Sequence, residues 1–163
     1  MTPRQVDEQH AHIIQNADVI NNHPSAVLDH YAAGVGALHE ERYRDALLHL
    51  DSALDAGGAR SETWFYSALA LMRGIRPLRH PRVTLVEVDR RLERAGDLPA
   101  AVVLRALVAD DYTQAWRRHT TLPADLNRLV SGLGDRERQE ISRHVPAPES
   151  RVWRALQQRK RRG

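Results

Sequence analysis

The sequence predicts an all-α protein, and three observations carry that prediction. Apolar residues recur at i, i+3 and i+4 in one segment after another. Alternation with period two never persists. Prolines fall between the periodic segments and not inside them. The 163 residues make about one domain, able to bury roughly 70% of its unfolded surface around a single core. Hydrophobic residues are 42% and charged residues 28%, the balance of a globular chain. Since Trp, Tyr and Phe number only three, four and one, the core must rest on Leu, Ala, Val and Ile.

The first helix opens at Thr2-Pro3-Arg4-Gln5, where Thr2 can cap, Pro3 suits the first helical position and Gln5 stands where a capping box needs it. Its apolar stripe is Val6, Ile13, Ala17 and Ile20, and Asn21-Asn22-His23-Pro24 ends it. Ser25 is expected to cap a second helix over residues 26 to about 40. A third, residues 43–56, carries Ala46, Leu47, Leu50, Ala53 and Leu54 on one face, and Gly57-Gly58 stops it. The short link between these two helices predicts an antiparallel hairpin. Helices over residues 62–73 and 83–95 flank a break at 74–81, with Leu85, Val88 and Leu92 turned inward. Residues 100–109 form the next helix, and 112–118 a short one. Leu126, Leu129, Val130 and Leu133 mark another by their i, i+3, i+4, i+7 spacing. Asp135 is expected to cap a helix to 145, and Ser150 one that reaches toward 159.

A repeat emerges when these helices are compared at a fixed period. In residues 27–60, Gly34 falls at a small position of one helix, Tyr43 in the turn, and Ala46, Leu50 and Ala53 at packing positions of the next. This pattern resembles a tetratricopeptide repeat. One period of 34 residues later, Trp64 takes the opening aromatic position and Ala68 the small one. The second unit departs from the pattern after Met72, where residues 74–82 lengthen the turn by about four residues. A third is expected from Ala100, with Tyr112 and Ala115 at the turn aromatic and the following alanine, and its second helix cut short by residues 120–123. The resemblance thus covers residues 27 to about 118.

The resemblance implies antiparallel hairpins stacked as a short right-handed superhelix. It divides the chain into an N-terminal helix (1–24), TPR-like repeats (25–118), and capping helices with a basic tail (119–163). It also implies a concave groove lined by Leu28, Tyr31, Val35, Leu38 and His39, then by Glu62, Phe65, Leu69, Met72 and Arg73, then by Leu104, Leu107 and Val108. Family members that clamp a C-terminal carboxylate use Lys, Asn and Arg there, and Tyr31, Val35, Phe65 and Leu69 depart from that pattern, so clamping is not expected. An apolar groove with Arg73 at its edge can take a partner's helix or peptide. It can equally be filled by the chain's own first helix, by its C-terminal helices, or by a second copy.

Signatures of chemistry are few. The absence of cysteine excludes disulfides, Cys-ligated zinc, iron–sulfur clusters and thiol nucleophiles. His39-Glu40-Glu41-Arg42 begins like a zinc-protease helix but is followed by Tyr43 where a second histidine would be needed, and so reads as a solvated helix end. His10 and His12 stand about 200° apart on a helix and cannot grip one ion together. Glycine-rich phosphate loops and the Gly-x-Ser-x-Gly elbow are missing as well. Neither catalysis, nor a cofactor, nor a metal is expected.

Charge is polarised along the chain. Residues 1–72 hold four Arg against ten acids, a balance of −6, whereas residues 73–163 hold twenty Arg and Lys against eleven acids, a balance of +9. Such polarity can steer an acidic partner to the second half or promote head-to-tail association. Arg76, Arg79 and Arg82 crowd one loop, and Arg159, Lys160, Arg161 and Arg162 end the chain. Both are candidate anion-binding clusters, for nucleic-acid phosphates or an anionic membrane surface. The opening residues lack a basic stretch followed by an apolar one, and the longest apolar run spans only residues 100–104, so a cytoplasmic protein is expected. The function expected is that of a non-catalytic adaptor holding a protein or peptide partner in the groove. The alternative is nucleic-acid binding through the basic second half.

Overall fold

The computed structural model describes residues 24–115 and 121–158, and at positions 114 and 115 the backbone alone. Among the described residues there are eight α-helices and no strand, as the periodicity predicts. They are α1 Pro24–His39, α2 Tyr43–Asp55, α3 Ser61–Met72, α4 Arg82–Arg94, α5 Pro99–Ala115, α6 Leu126–Gly132, α7 Asp135–His144 and α8 Arg151–Gln158, with a 3₁₀ turn at Pro77–Arg79. The predicted N-terminal helix lies outside the described residues except for Pro24, and so does the basic tail beyond 158. No described helix is long and apolar enough to cross a membrane.

α1 is already helical at Pro24, its first described residue, which puts Ser25 inside the helix instead of at the expected cap. The helix ends in a left-handed turn at Glu41 (φ 60°), where Arg42 N–H bonds Ala37 O and Glu41 N–H bonds Leu38 O, each at 2.9 Å. Glycine usually takes such a place. Here Glu41 is held from outside, because its carboxylate accepts from Arg143 of α7 at 3.0 Å. α2 closes in the same way through Gly57 (φ 90°), with Gly58 N–H on Ala53 O at 2.8 Å.

The α1–α2 interface is the most extensive of the helix pairs. A Cβ added at Gly34 would lie 2.6 Å from Leu50 Cγ, so only glycine lets the two helices come this close. Ala46, Leu50 and Ala53 are wholly buried against that approach. Tyr43 opens α2 and lies over Gly74, where an added Cβ would stand 2.8 Å from its hydroxyl. α2 packs on α3 and α3 on α4, while α4 and α5 meet over a smaller surface.

The lengthened turn between α3 and α4 is stitched to the body. His80 Nε2 donates to Met72 O at 3.0 Å. Arg76 grips the Asp111 carboxylate through Nε at 2.9 Å and Nη2 at 2.9 Å, and Leu78 N–H donates to the same group at 3.2 Å.

α5 is one continuous helix, which corrects the expected break after Ala109. Tyr112 therefore sits within the helix, which is described as far as Ala115, so no third turn forms at that aromatic. Asp110 and Asp111 look from sequence like the polar end of a helix. Both are fully buried instead, each with an arginine brought from elsewhere, and the helix passes through them.

The last three helices close the far side. α7 lies against α3 and α5, and α6 and α8 against α5 and each other. Gly134 caps α7, with Glu137 Oε2 accepting its N–H at 2.9 Å, and Asp135 is the first helical residue instead of the expected cap. Ser150 does cap α8, its Oγ accepting from Val152 N–H at 3.1 Å. One contiguous core runs from Val35 to Leu156.

Candidate functional site

The face predicted as a groove is closed from within. Of its residues, Val35, Leu38, Phe65, Leu69 and Met72 are buried, as are Leu104, Leu107 and Val108 on α5. They are core residues and not an open binding surface, which corrects their reading as accessible groove. Leu28 and Arg73 are exposed, and Tyr31 is half-buried. The chain's own C-terminal helices fill the face, one of the occupants the sequence allowed. The rings of Tyr31 and Tyr66 meet edge to face at 6.1 Å, and Tyr66 meets Phe65 at 5.3 Å. Burial pushes the Tyr66 phenol up to about 12, and the charges of Arg136, Glu140 and Glu137 on α7 also act on it.

Where α7 meets the first hairpin, four polar side chains form a chain. Tyr43 hydroxyl lies 3.1 Å from His144 Nδ1, His144 Nε2 lies 3.3 Å from Glu140 Oε2, and Glu140 Oε1 lies 2.5 Å from His39 Nε2. His144 and Glu140 are buried, and the 3.3 Å contact leaves His144 Nε2 and Glu140 Oε2 without a well-formed hydrogen bond. Burial pushes the Glu140 carboxyl up, but the two imidazoles outweigh it and hold the group below its ordinary value. Arg136 adds a more distant contact at 4.0 Å. Sequence spacing could not reveal this array, since its two halves are 101 residues apart. His39 was visible as part of a solvated helix end and as one residue of the predicted groove, whereas in the fold Glu40, Glu41 and Arg42 are exposed and His39 turns inward to Glu140. Among the described residues no three His, Asp or Glu side chains are placed to share a metal ion.

A second polar cluster joins α5 to the C-terminus. Asp110 accepts from Ser150 Oγ at 2.9 Å, Arg151 N–H at 2.7 Å and Arg151 Nη2 at 2.6 Å. Burial raises the Asp110 carboxyl, yet the Arg151 and Ser150 bonds prevail and hold it below its usual value. Val152 and Leu156 are buried beside it and Trp153 is half-buried, so this stretch docks on the core.

These contacts also sort the predicted basic loop. Arg76 is spent on Asp111 and on Glu149 at 3.3 Å, which removes it from the free anion-binding set. Arg79 and Arg82 are exposed and have no ion pair among the described residues. Arg159, Lys160, Arg161 and Arg162 lie outside the described residues.

The open apolar surface lies elsewhere, between α4 and α5. A cleft of about 280 Å³ has a floor of Leu85, Val88 and Leu92 from α4 and Val108, Ala109 and Tyr112 from α5. Arg82 stands at its rim, and Asp89 and Arg105 pair across it at 2.6 Å. Val86 lines the cleft at 55% exposure, and Val83 beside it is 76% exposed. Sequence reasoning missed this site because Val86 shares α4 with the inward stripe, and the small contact surface between α4 and α5 is not visible in either helix alone. In comparisons with known proteins, no protein-family model, curated sequence or solved structure matches this chain.

Proposed function

We propose that this chain is a non-catalytic, TPR-like interaction adaptor whose open binding face is the cleft between α4 and α5. The close approach at Gly34 supports the repeat reading, because it sets the small position of one helix against Leu50, a packing position of the next. In a stack of hairpins each helix face is covered by the next helix. The single observation that carries the binding reading is that this cleft, apolar at its floor, still exposes Val86, with Val83 exposed three residues earlier on the same helix. A helix presenting apolar side chains at i, i+3 and i+4 fits such a site. Binding in the predicted groove would first require α7 to leave α3.

The test is a capture experiment from the native host with the full chain and two variants. A partner retained by the wild type and by Leu48→Asp, at an exposed position on α2, but lost with Val86→Asp supports the reading. A partner retained equally by Val86→Asp overturns it.

A further inference from the structure

We propose that the α4–α5 cleft is filled by the N-terminal segment, residues 1–20, of a second copy of this chain, so that molecules associate head to tail; this rests on the cleft being a docking site. Three observations select that occupant. The first is chemical fit. Val6, Ile13, Ala17 and Ile20 make an apolar stripe at helical spacing that needs a surface to bury against, and the cleft offers aliphatic walls and the exposed Val86.

The second is charge. The segment carries Asp7, Glu8 and Asp18 against Arg4, and the cleft opens beside Arg82, which is exposed and has no ion pair among the described residues. The same polarity holds for the whole chain, −6 over residues 1–72 against +9 over 73–163. Opposite charge at the two ends favours a contact between different surfaces over one between identical surfaces.

The third is reach. Only Asn21, Asn22 and His23 separate Ile20 from Pro24, so Ile20 lies within about 14 Å of the start of α1. The main packing partners of α1 are α2 and α3, with α4 and α5 beyond α3. At 8–10 Å between packed helices the cleft stands about 20 Å from α1, beyond the reach of Ile20, so a chain cannot lay its whole stripe in its own cleft. A neighbour's segment has no such tether. Because the two surfaces differ, the contact leaves a free cleft at one end and a free segment at the other, and association continues along a line.

Sedimentation velocity on full chains across a concentration series tests this. The wild type is expected to form a growing series of species, and Ile13→Asp and Val86→Asp, each alone, to stay monomeric, while Leu48→Asp associates like the wild type. The decisive sample is the mixture of the first two. Ile13→Asp keeps an intact cleft and Val86→Asp an intact segment, so together they are expected to give a two-chain complex, twice the monomer mass, that cannot extend. Because the chain has no cysteine, Ile13→Cys on one full chain and Val86→Cys on another should trap the same pair as a single disulfide under mild oxidation. Circular dichroism checks that each variant keeps its helix content. Three results overturn the inference: a wild type that is monomeric throughout, a mixture that stays monomeric without cross-linking, or a disulfide formed within one chain carrying both cysteines in preference to one between chains. If association falls with Val86→Asp but not with Ile13→Asp, the cleft has another occupant; the inference fails and the docking site stands. If Val86→Asp changes neither association nor partner capture, both fail.

Discussion

The α1–α2 hairpin and the end built from α5 to α8 share one core, but they are held by different means. In the hairpin, Gly34 meets Leu50 at backbone distance and Ala46 and Ala53 line the same seam, so shape complementarity does the holding. At the other end, buried carboxylates are tied to distant partners, Asp110 to Arg151, Asp111 to Arg76 and Glu140 to His39. The first kind of contact is set by residues less than 20 positions apart, the second by pairs separated by 35 to 101. Packing seams tolerate little change of volume, whereas polar anchors tolerate a change of shape but not of charge.

The largest expected effect breaks the seam. Gly34→Leu should cost about 3 kcal/mol, at the upper end of overpacking, because the clash begins at Cβ and meets Leu50 Cγ and the Leu50 backbone nitrogen, at 3.2 Å. Ala53→Leu, buried on the same seam, should cost about 1–3 kcal/mol. Urea unfolding followed by circular dichroism measures both. Neutral results would remove the close helix approach, and with it the support for the repeat register.

The next effect breaks an anchor. Asp110→Asn keeps the shape but loses the charge that receives the Arg151 guanidinium, and should cost about 2 kcal/mol. That is about 6 °C in Tm for a chain of this size. The loss stays moderate because the Arg151 side chain is 45% exposed and can turn to water instead of being stranded. A double-mutant cycle of Asp111→Asn with Arg76→Gln should show coupling of about 1–2 kcal/mol, and additivity would mean that this ion pair holds nothing.

These anchors explain how much of the molecule was legible in the sequence. The hairpin, the α3 and α4 boundaries to within a residue or so, and the cap at Ser150 follow from local spacing and capping rules. The continuity of α5 does not, because Asp110-Asp111 can be read as buried only if Arg76 and Arg151 are known to reach them. Glu41 in a left-handed turn escapes for the same reason, as Arg143 holds it from 102 residues away. For the candidate site, the predicted groove positions are apolar, but the sequence could not choose among a partner, a second copy, the first helix and the C-terminal helices as their cover. The α4–α5 cleft lies where two helices meet over a small surface, which no residue pattern within either helix encodes.

Acid should separate the two ends further. Glu140 and Asp110 are both held below their ordinary carboxyl values, so each binds fewer protons folded than unfolded. Stability from these groups is fully present above about pH 5 and is lost as pH falls through their lowered values. The urea midpoint should therefore drop on acidification, and Glu140→Gln should flatten part of that drop. The groups facing Glu140 are His39, His144, Arg136 and Tyr66, with Tyr43 behind His144, and none of them reverses this sign. An acid limb as steep in Glu140→Gln with Asp110→Asn as in the wild type would place the loss elsewhere.

The smallest effect sharpens the comparison within a single helix. Gly34 and Gly36 are two residues apart in α1, both helical, yet an added Cβ at Gly36 meets nothing within 4 Å. Glycine in a helix interior is about 1 kcal/mol less favourable than alanine, largely through the unfolded chain it leaves more flexible. Gly36→Ala should therefore stabilise the protein by about 0.5–1 kcal/mol. Gly34→Ala gains the same backbone term but brings its methyl to 2.6 Å from Leu50 Cγ and 3.2 Å from the Leu50 backbone nitrogen, which one side-chain rotation cannot relieve, so its net effect should be a loss. The two urea midpoints should move in opposite directions from the wild type. If both rise, Leu50 has room to withdraw and the seam is looser than its distances imply; if both fall, the open face of α1 at Gly36 is covered by something in solution, as it would be if a neighbouring chain packed there.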